Sequence, residues 1–152
     1  MPMTDANGIA QTGSGVFSFT VSTQASNAIT IPYEVNITQV TLDCTGTDTP
    51  TGCYDSMTNA QIKAYLTKGG TAVSETTASG ALISTLTDST LRSGAKILHS
   101  DNADVFTGTG QSAKTSNYAL RLWISSAINY DAVSGKEYHA KVNVDSHVSP
   151  LS

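Results

Sequence analysis

Every second residue from Ile29 to Ile37 is apolar, with Ile29, Ile31, Tyr33, Val35 and Ile37 in one phase. A period of two marks a strand with one buried face, whereas a helix of 3.6 residues per turn would scatter these side chains around its axis. The same phase returns in Phe17, Phe19 and Val21, in Ile62, Ala64 and Leu66, in Tyr118, Leu120, Leu122 and Ile124, and in Tyr138, Ala140, Val142 and Val144. Gly69-Gly70 separates two short alternating runs, which predicts a hairpin, because both central residues of its turn need positive φ. Pro32 cannot donate to a ladder, so its strand lies at an edge there or is broken by a bulge. Val40 and Leu42 stand in the opposite phase to Ile37, which predicts a one-residue irregularity near Thr38 and Gln39. The run 79–101 reads as one helical turn or a kinked strand.

Charged residues are 13% of this chain of 152, against about 25% in ordinary soluble domains. Abundant Thr with little Lys or Glu suits strands better than helices. The expected fold is therefore all-β, a single β-sandwich of jelly-roll or Ig-like type with about seven to nine antiparallel strands. Its core is expected to hold Phe17, Phe19, Ile29, Ile31, Val35, Leu66, Leu120, Leu122, Ile124, Val142 and Val144. Residues 16–148 form the domain, 149–152 a tail, and the polar stretch 1–15 a flexible lead or a donor segment that pairs with a neighbouring subunit's edge.

Several functions are excluded by composition. The formal net charge is -4 and the eight Lys and Arg are scattered, so no basic patch exists to hold nucleic acid. No apolar run approaches the ~18 residues of a membrane span, and the first residues lack the basic start and apolar stretch of a signal peptide. No G-x-S-x-G or H-E-x-x-H occurs, so no catalytic residue is assigned and the chain is read as non-enzymatic, with no cofactor. The histidines His99, His139 and His147 occur singly and read as surface imidazoles rather than metal ligands. HSDNAD (99–104) reads as a solvated loop, with calcium binding through Asp101 and Asp104 as the weaker reading.

Cys44 and Cys53 lie in a Gly-, Pro- and Thr-rich stretch that can fold back on itself. Their spacing fits a local disulfide, worth about 2 to 3 kcal/mol, with two unpaired thiols as the alternative. Zinc is a poor third, since no second Cys or His pair follows. Arg121 and Trp123, the one tryptophan of the chain, share the second face of the strand Y-A-L-R-L-W-I (118–124). A cation beside an indole suggests a stacked, partly covered surface, and this pair is the candidate interaction surface.

The segments KAYLTKGG (63–70), LTD (86–88) with LRSG (91–94), YALRLWI (118–124) and GKEYHAKVNV (135–144) resemble secreted β-sandwich proteins of Gram-positive bacteria, similar to the camelysin and TasA-like surface and biofilm-matrix family. The resemblance covers roughly the last two-thirds of the chain. It implies an extracellular or cell-surface domain, a non-enzymatic structural subunit of a filament or matrix, forming a homo-oligomer by strand addition. A carbohydrate- or surface-binding module, such as an adhesin or phage accessory domain, is the alternative expectation.

Overall fold

A computed structural model describes residues 1–41, residue 44 and residues 54–146, and only the backbone of residues 102 and 103. In chain order the elements are helix α1 (Asp5–Ile9), strands β1 (Phe17–Thr23), β2 (Ile29–Val40), β3 (Asp55–Ser56), β4 (Ile62–Lys68), β5 (Thr71–Ala72), β6 (Ala81–Leu82), β7 (Ala95–Phe106) and β8 (Lys114–Ile124), helix α2 (Tyr130–Val133), and strands β9 (Lys136–Glu137) and β10 (His139–Ser146). The all-β class holds.

The strands form three sheets. The largest runs β1-β8-β4-β5, with β6 also paired to β4; the second runs β10-β2-β7; β3 and β9 make a short pair of their own. All pairings in the two larger sheets are antiparallel, and β3 pairs β9 in parallel. The hairpin expected at Gly69-Gly70 joins β4 to β5, with φ of 57° and 82° at its two glycines.

One core joins the two larger sheets. Val35 of β2, Ala64 and Leu66 of β4, Ile83 just after β6 and Leu98 of β7 have no exposed surface, and Tyr118 and Leu120 of β8 close over them. Phe19, Leu122, Ile124 and Val142 pack against this cluster while only partly buried. Two expected core residues lie outside: Phe17 is 55% exposed and Val144 44%. Both sit on β1 and β10, which are edge strands among the described residues. Ile29 and Ile31 are only half-buried.

The irregularity in β2 falls elsewhere than the sequence suggests. Register shifts occur between Ile31 and Tyr33, at Pro32, and between Val35 and Asn36, not near Thr38. Pro32 is therefore accommodated by a bulge inside a central strand. Burial is unbroken from Tyr33 to Ile37 because β2 is covered on both faces. Its outer face, Glu34 and Asn36, lies under the chain that precedes β7: Ser89 donates to Glu34, Asn36 Nδ2 donates to Asp145 at 2.8 Å, and Arg92 clasps the same carboxylate through two nitrogens. The run 79–101 resolves into β6, a 3-10 turn (Ile83–Thr85) and the first half of β7.

Candidate functional site

Two regions hold the candidate residues. The first is the outer face of β8. Because β1 pairs β8 only as far as Leu120, the last residues of β8 have, among the described residues, no strand beside them on that side. The stretch 1–15 fills the gap. Met3 N donates to Ile124 O at 3.0 Å and bridges Ser125 in parallel, Gln11 Nε2 donates to Leu122 O at 3.2 Å, and Arg121 Nε donates to Gln11 O at 3.0 Å. Asp5 pairs with Lys63 at 2.7 Å. Helix α1, capped by Thr4, lies over Trp123 so closely that a Cβ on Gly8 would come within 2.2 Å of the indole.

The expected interaction surface is thus placed but not open. Trp123 is 3% exposed and Arg121 half-buried, its guanidinium 6.0 Å from the Tyr65 ring. Residues 1–15, expected to be a flexible lead or a neighbour's donor, lie instead on their own chain. The driving force is the unpaired half of β8 together with an exposed indole, which the stretch covers at once. One cost remains: Trp123 Nε1 is buried without a hydrogen-bond partner, and such an orphan costs about 1–3 kcal/mol.

Beside this face lies a groove of about 590 Å³ between the two larger sheets. Phe17, Ile37, Leu120, Leu122, Tyr138 and Val142 line it, with Gly15 at its rim. Its lining is mixed, with Gln11, Ser14 and His139 beside the apolar side chains, and it lies where β1 and β10 are, among the described residues, the edge strands of their sheets.

The second region is a polar cluster at the margin of the core, with Asp101 buried and Lys68 about a third exposed, which the sequence hid. Lys68 continues the inward phase of Ile62, Ala64 and Leu66, and stands opposite Tyr118 across β4 and β8. On the facing sheet Tyr33 stands opposite Asp101 and Val35 opposite His99. The Lys68/Tyr118 pair of one sheet meets the Tyr33/Asp101 pair of the other. Lys68 Nζ contacts Asp101 Oδ2; Tyr33 O–H donates to the same oxygen at 3.5 Å and lies 2.6 Å from the Tyr118 hydroxyl. His99 Nε2 is 3.7 Å from that oxygen, while its Nδ1 is 2.8 Å from Glu75. Nearby, Thr23 donates to Asp104 at 2.6 Å.

Electrostatics follow from burial and contact. Burial, then the Tyr33 hydroxyl, pushes the Tyr118 phenol far up. For Lys68 burial works downward, but contact with Asp101 outweighs it and the ammonium is held above its usual value. For Glu75 burial works upward, but hydrogen bonds from His99 and from backbone amides outweigh it and the carboxyl is held low. The side chain of Asp101 is only 3% exposed.

Two expectations are corrected here. HSDNAD is not a loop but lies within β7. Its carboxylates are engaged by Lys68, Tyr33 and Thr23, and among the described residues no group of three or more His, Cys, Asp or Glu could hold a metal ion. His99 is not a surface imidazole, being 16% exposed, because β7 runs through it facing the core. His139 is exposed and pairs with Glu137 at 2.8 Å; His147 lies outside the described residues. So does Cys53, and with it the expected bond to Cys44. No described helix is long and apolar enough to cross a membrane. No family model, curated protein or solved structure matches the chain.

Proposed function

We propose that this chain is a non-enzymatic structural subunit of an extracellular filament or matrix, as the resemblance to camelysin and TasA-like proteins implies, and that subunits join by exchanging residues 1–15. The carrying observation is that this stretch completes a sheet edge by a backbone bridge, Met3 to Ser125. A neighbour's stretch would make the same bridge, the same Asp5–Lys63 pair and the same cover over Trp123. Exchange of an identical segment conserves every contact, so it costs little beyond association itself.

Three features support the reading. The stretch is joined to β1 through Gly13-Ser14-Gly15, with φ of 60° at Gly13, a natural hinge. The orphaned Trp123 N–H makes the closed form less than ideal. The edges of β1 and β10, unpaired among the described residues, lie beside the groove and offer further strand-to-strand contact. A disulfide between Cys44 and Cys53 belongs to the same extracellular reading.

Electron microscopy and sedimentation of the full-length protein test the idea, with a protein lacking residues 1–15 alongside. Filaments or higher oligomers that vanish on truncation are expected. Identical filaments from the truncated protein, or a full-length protein that stays monomeric at high concentration, would sink it. Specific retention on a glycan array, without assembly, would instead favour a carbohydrate- or surface-binding module, for which Phe17, Tyr54 and Tyr130 are exposed rings.

A further inference from the structure

We infer that Lys68 and Asp101 condense within the folded chain to form a side-chain amide, a covalent tie between the five-stranded and three-stranded sheets. The inference does not depend on how subunits assemble.

The placement comes first. Lys68 lies at the end of β4, in the phase that points its neighbours into the core, and Asp101 lies in β7 of the other sheet. Backbone register fixes each one, Lys68 opposite Tyr118 and Asp101 opposite Tyr33. The amine nitrogen and the carboxylate are in contact, and Phe19 stacks on Tyr118 at 5.2 Å to close one side of the cluster. Two reacting groups held this way gain an effective concentration of about 10⁵–10⁸ M. Lysine and aspartate free in water do not condense; a pair fixed by two sheets has already lost the freedom that opposes the step.

The surroundings favour the product. An ion pair with one partner almost fully buried carries a desolvation penalty that its attraction does not always repay. An amide removes both charges and keeps a donor and an acceptor for the hydrogen bonds already there. An ordinary ion pair between sheets would also have no use for an imidazole 3.7 Å away, backed by a carboxylate at 2.8 Å. That pairing is the arrangement of a proton carrier: Glu75 holds one ring nitrogen of His99 and aims the other at Asp101.

The step balances without metal, oxidant or cofactor. The Lys68 ammonium gives one proton to the Asp101 carboxylate, leaving a neutral amine and a carboxylic acid, a form that burial on the Asp101 side favours. The amine lone pair attacks Cγ, forming the Nζ–Cγ bond. His99 Nε2 takes a second proton from nitrogen and delivers it to the departing hydroxyl, the Cγ–O bond breaks, and one water leaves. Tyr33, donating to Oδ2, polarises the carboxyl during attack. Contact with Asp101 keeps Lys68 protonated at rest, so the neutral pair that reacts is a minor form. His99 acts on the reacting atoms; Glu75 is a positioning residue.

The test is the intact mass of the purified full-length protein under reducing conditions. The expected mass is below the sequence mass by one water, and a digest should give a branched peptide joining the segments around Lys68 and Asp101. Lys68→Arg and Asp101→Ala should each return the full mass. In Glu75→Gln and His99→Gln, with the far-UV spectrum unchanged, the loss of water followed by mass from newly synthesised, uncross-linked chain as it first folds should slow at least tenfold. A folded wild-type protein of full sequence mass overturns the proposal, and so does a water loss that persists in Lys68→Arg, which would place a dehydration elsewhere. A rate unchanged in His99→Gln would remove the histidine from the step.

Discussion

Tyr33 and Tyr118 meet hydroxyl to hydroxyl at 2.6 Å from opposite sheets, their rings edge-on at 85°. Both are nearly fully buried, so neither hydroxyl has water as a substitute partner. With Tyr33 donating to Asp101, the consistent order of donation runs from Tyr118 to Tyr33 to Asp101. The polar chain thus crosses the core from Tyr118 on the five-stranded sheet to Tyr33 and Asp101 on the three-stranded one.

Tyr118→Phe removes the first link and leaves the ring stacking on Phe19 in place. The expected loss is about 1–2 kcal/mol, the worth of a buried hydrogen bond plus the desolvation of what it leaves behind. It should show in denaturant unfolding as a lower midpoint with an unchanged slope. An unchanged midpoint would mean that the hydroxyl pair carries no stability.

Two glycines with nearly the same backbone separate strain from crowding. Gly80 and Gly94 have φ of 77° and 78°, but a Cβ on Gly80 would stand 2.4 Å from Trp123 Cη2 and 3.3 Å from the Ala64 carbonyl oxygen, while nothing lies within 4 Å at Gly94. Gly94→Ala should cost only the left-handed backbone penalty, about 1–2 kcal/mol. Gly80→Ala should cost a further ~1–3 kcal/mol for overpacking. Equal thermal midpoints for the two variants would contradict the packing of Trp123 against Gly80.

The strands were legible in the sequence because period two survives wherever one face is buried: β4 and β8 lie where Ile62, Ala64, Leu66 and Tyr118, Leu120 place them. What one period cannot show is a second cover. Glu34 and Asn36 are buried because a segment some fifty positions later folds over them, and Trp123 because residues 1–15 return to it. The polar cluster was hidden for the same reason. Lys68 in the phase of Leu66 was the available signal, but its partner Asp101 is fixed by register across the other sheet, which the bulge at Pro32 shifts.

Acid should loosen the outer cover of β2. The Arg92 guanidinium, then the Asn36 amide, holds the Asp145 carboxyl below its usual value. A carboxylate depressed in the folded state contributes stability that is present above its unfolded pKa, about 4, and is lost as pH falls through the folded value. Glu75, also held low, acts in the same direction. Asp145 is mostly on the surface, so its share is small and screened by salt. Unfolding midpoints should therefore be flat from neutral pH down to about 5 and fall below about 4, and Asp145→Asn should shrink that fall. An acid limb of the same depth in Asp145→Asn would count against the assignment.

Docking of residues 1–15 can be read from one fluorophore, since Trp123 is the chain's single tryptophan. Gly8 lies against its indole with no room for a methyl group, the nearest ring atoms being 2.2, 2.4 and 2.7 Å from where a Cβ would stand. Backbone cannot yield easily there, because Met3 and Gln11 tie both flanks to β8. Gly8→Ala should therefore lift α1 from the sheet, whether the stretch comes from the same chain or from a neighbour. Water would reach the indole and its unpaired N–H, so emission should move to longer wavelength, and protease should cut within residues 1–15 while the rest of the chain resists. The core is built without these residues, so unfolding should stay cooperative, with a loss of about 1–3 kcal/mol. Self-association should weaken with it. A variant that keeps buried tryptophan emission and resists cleavage would show that α1 does not pack on Trp123.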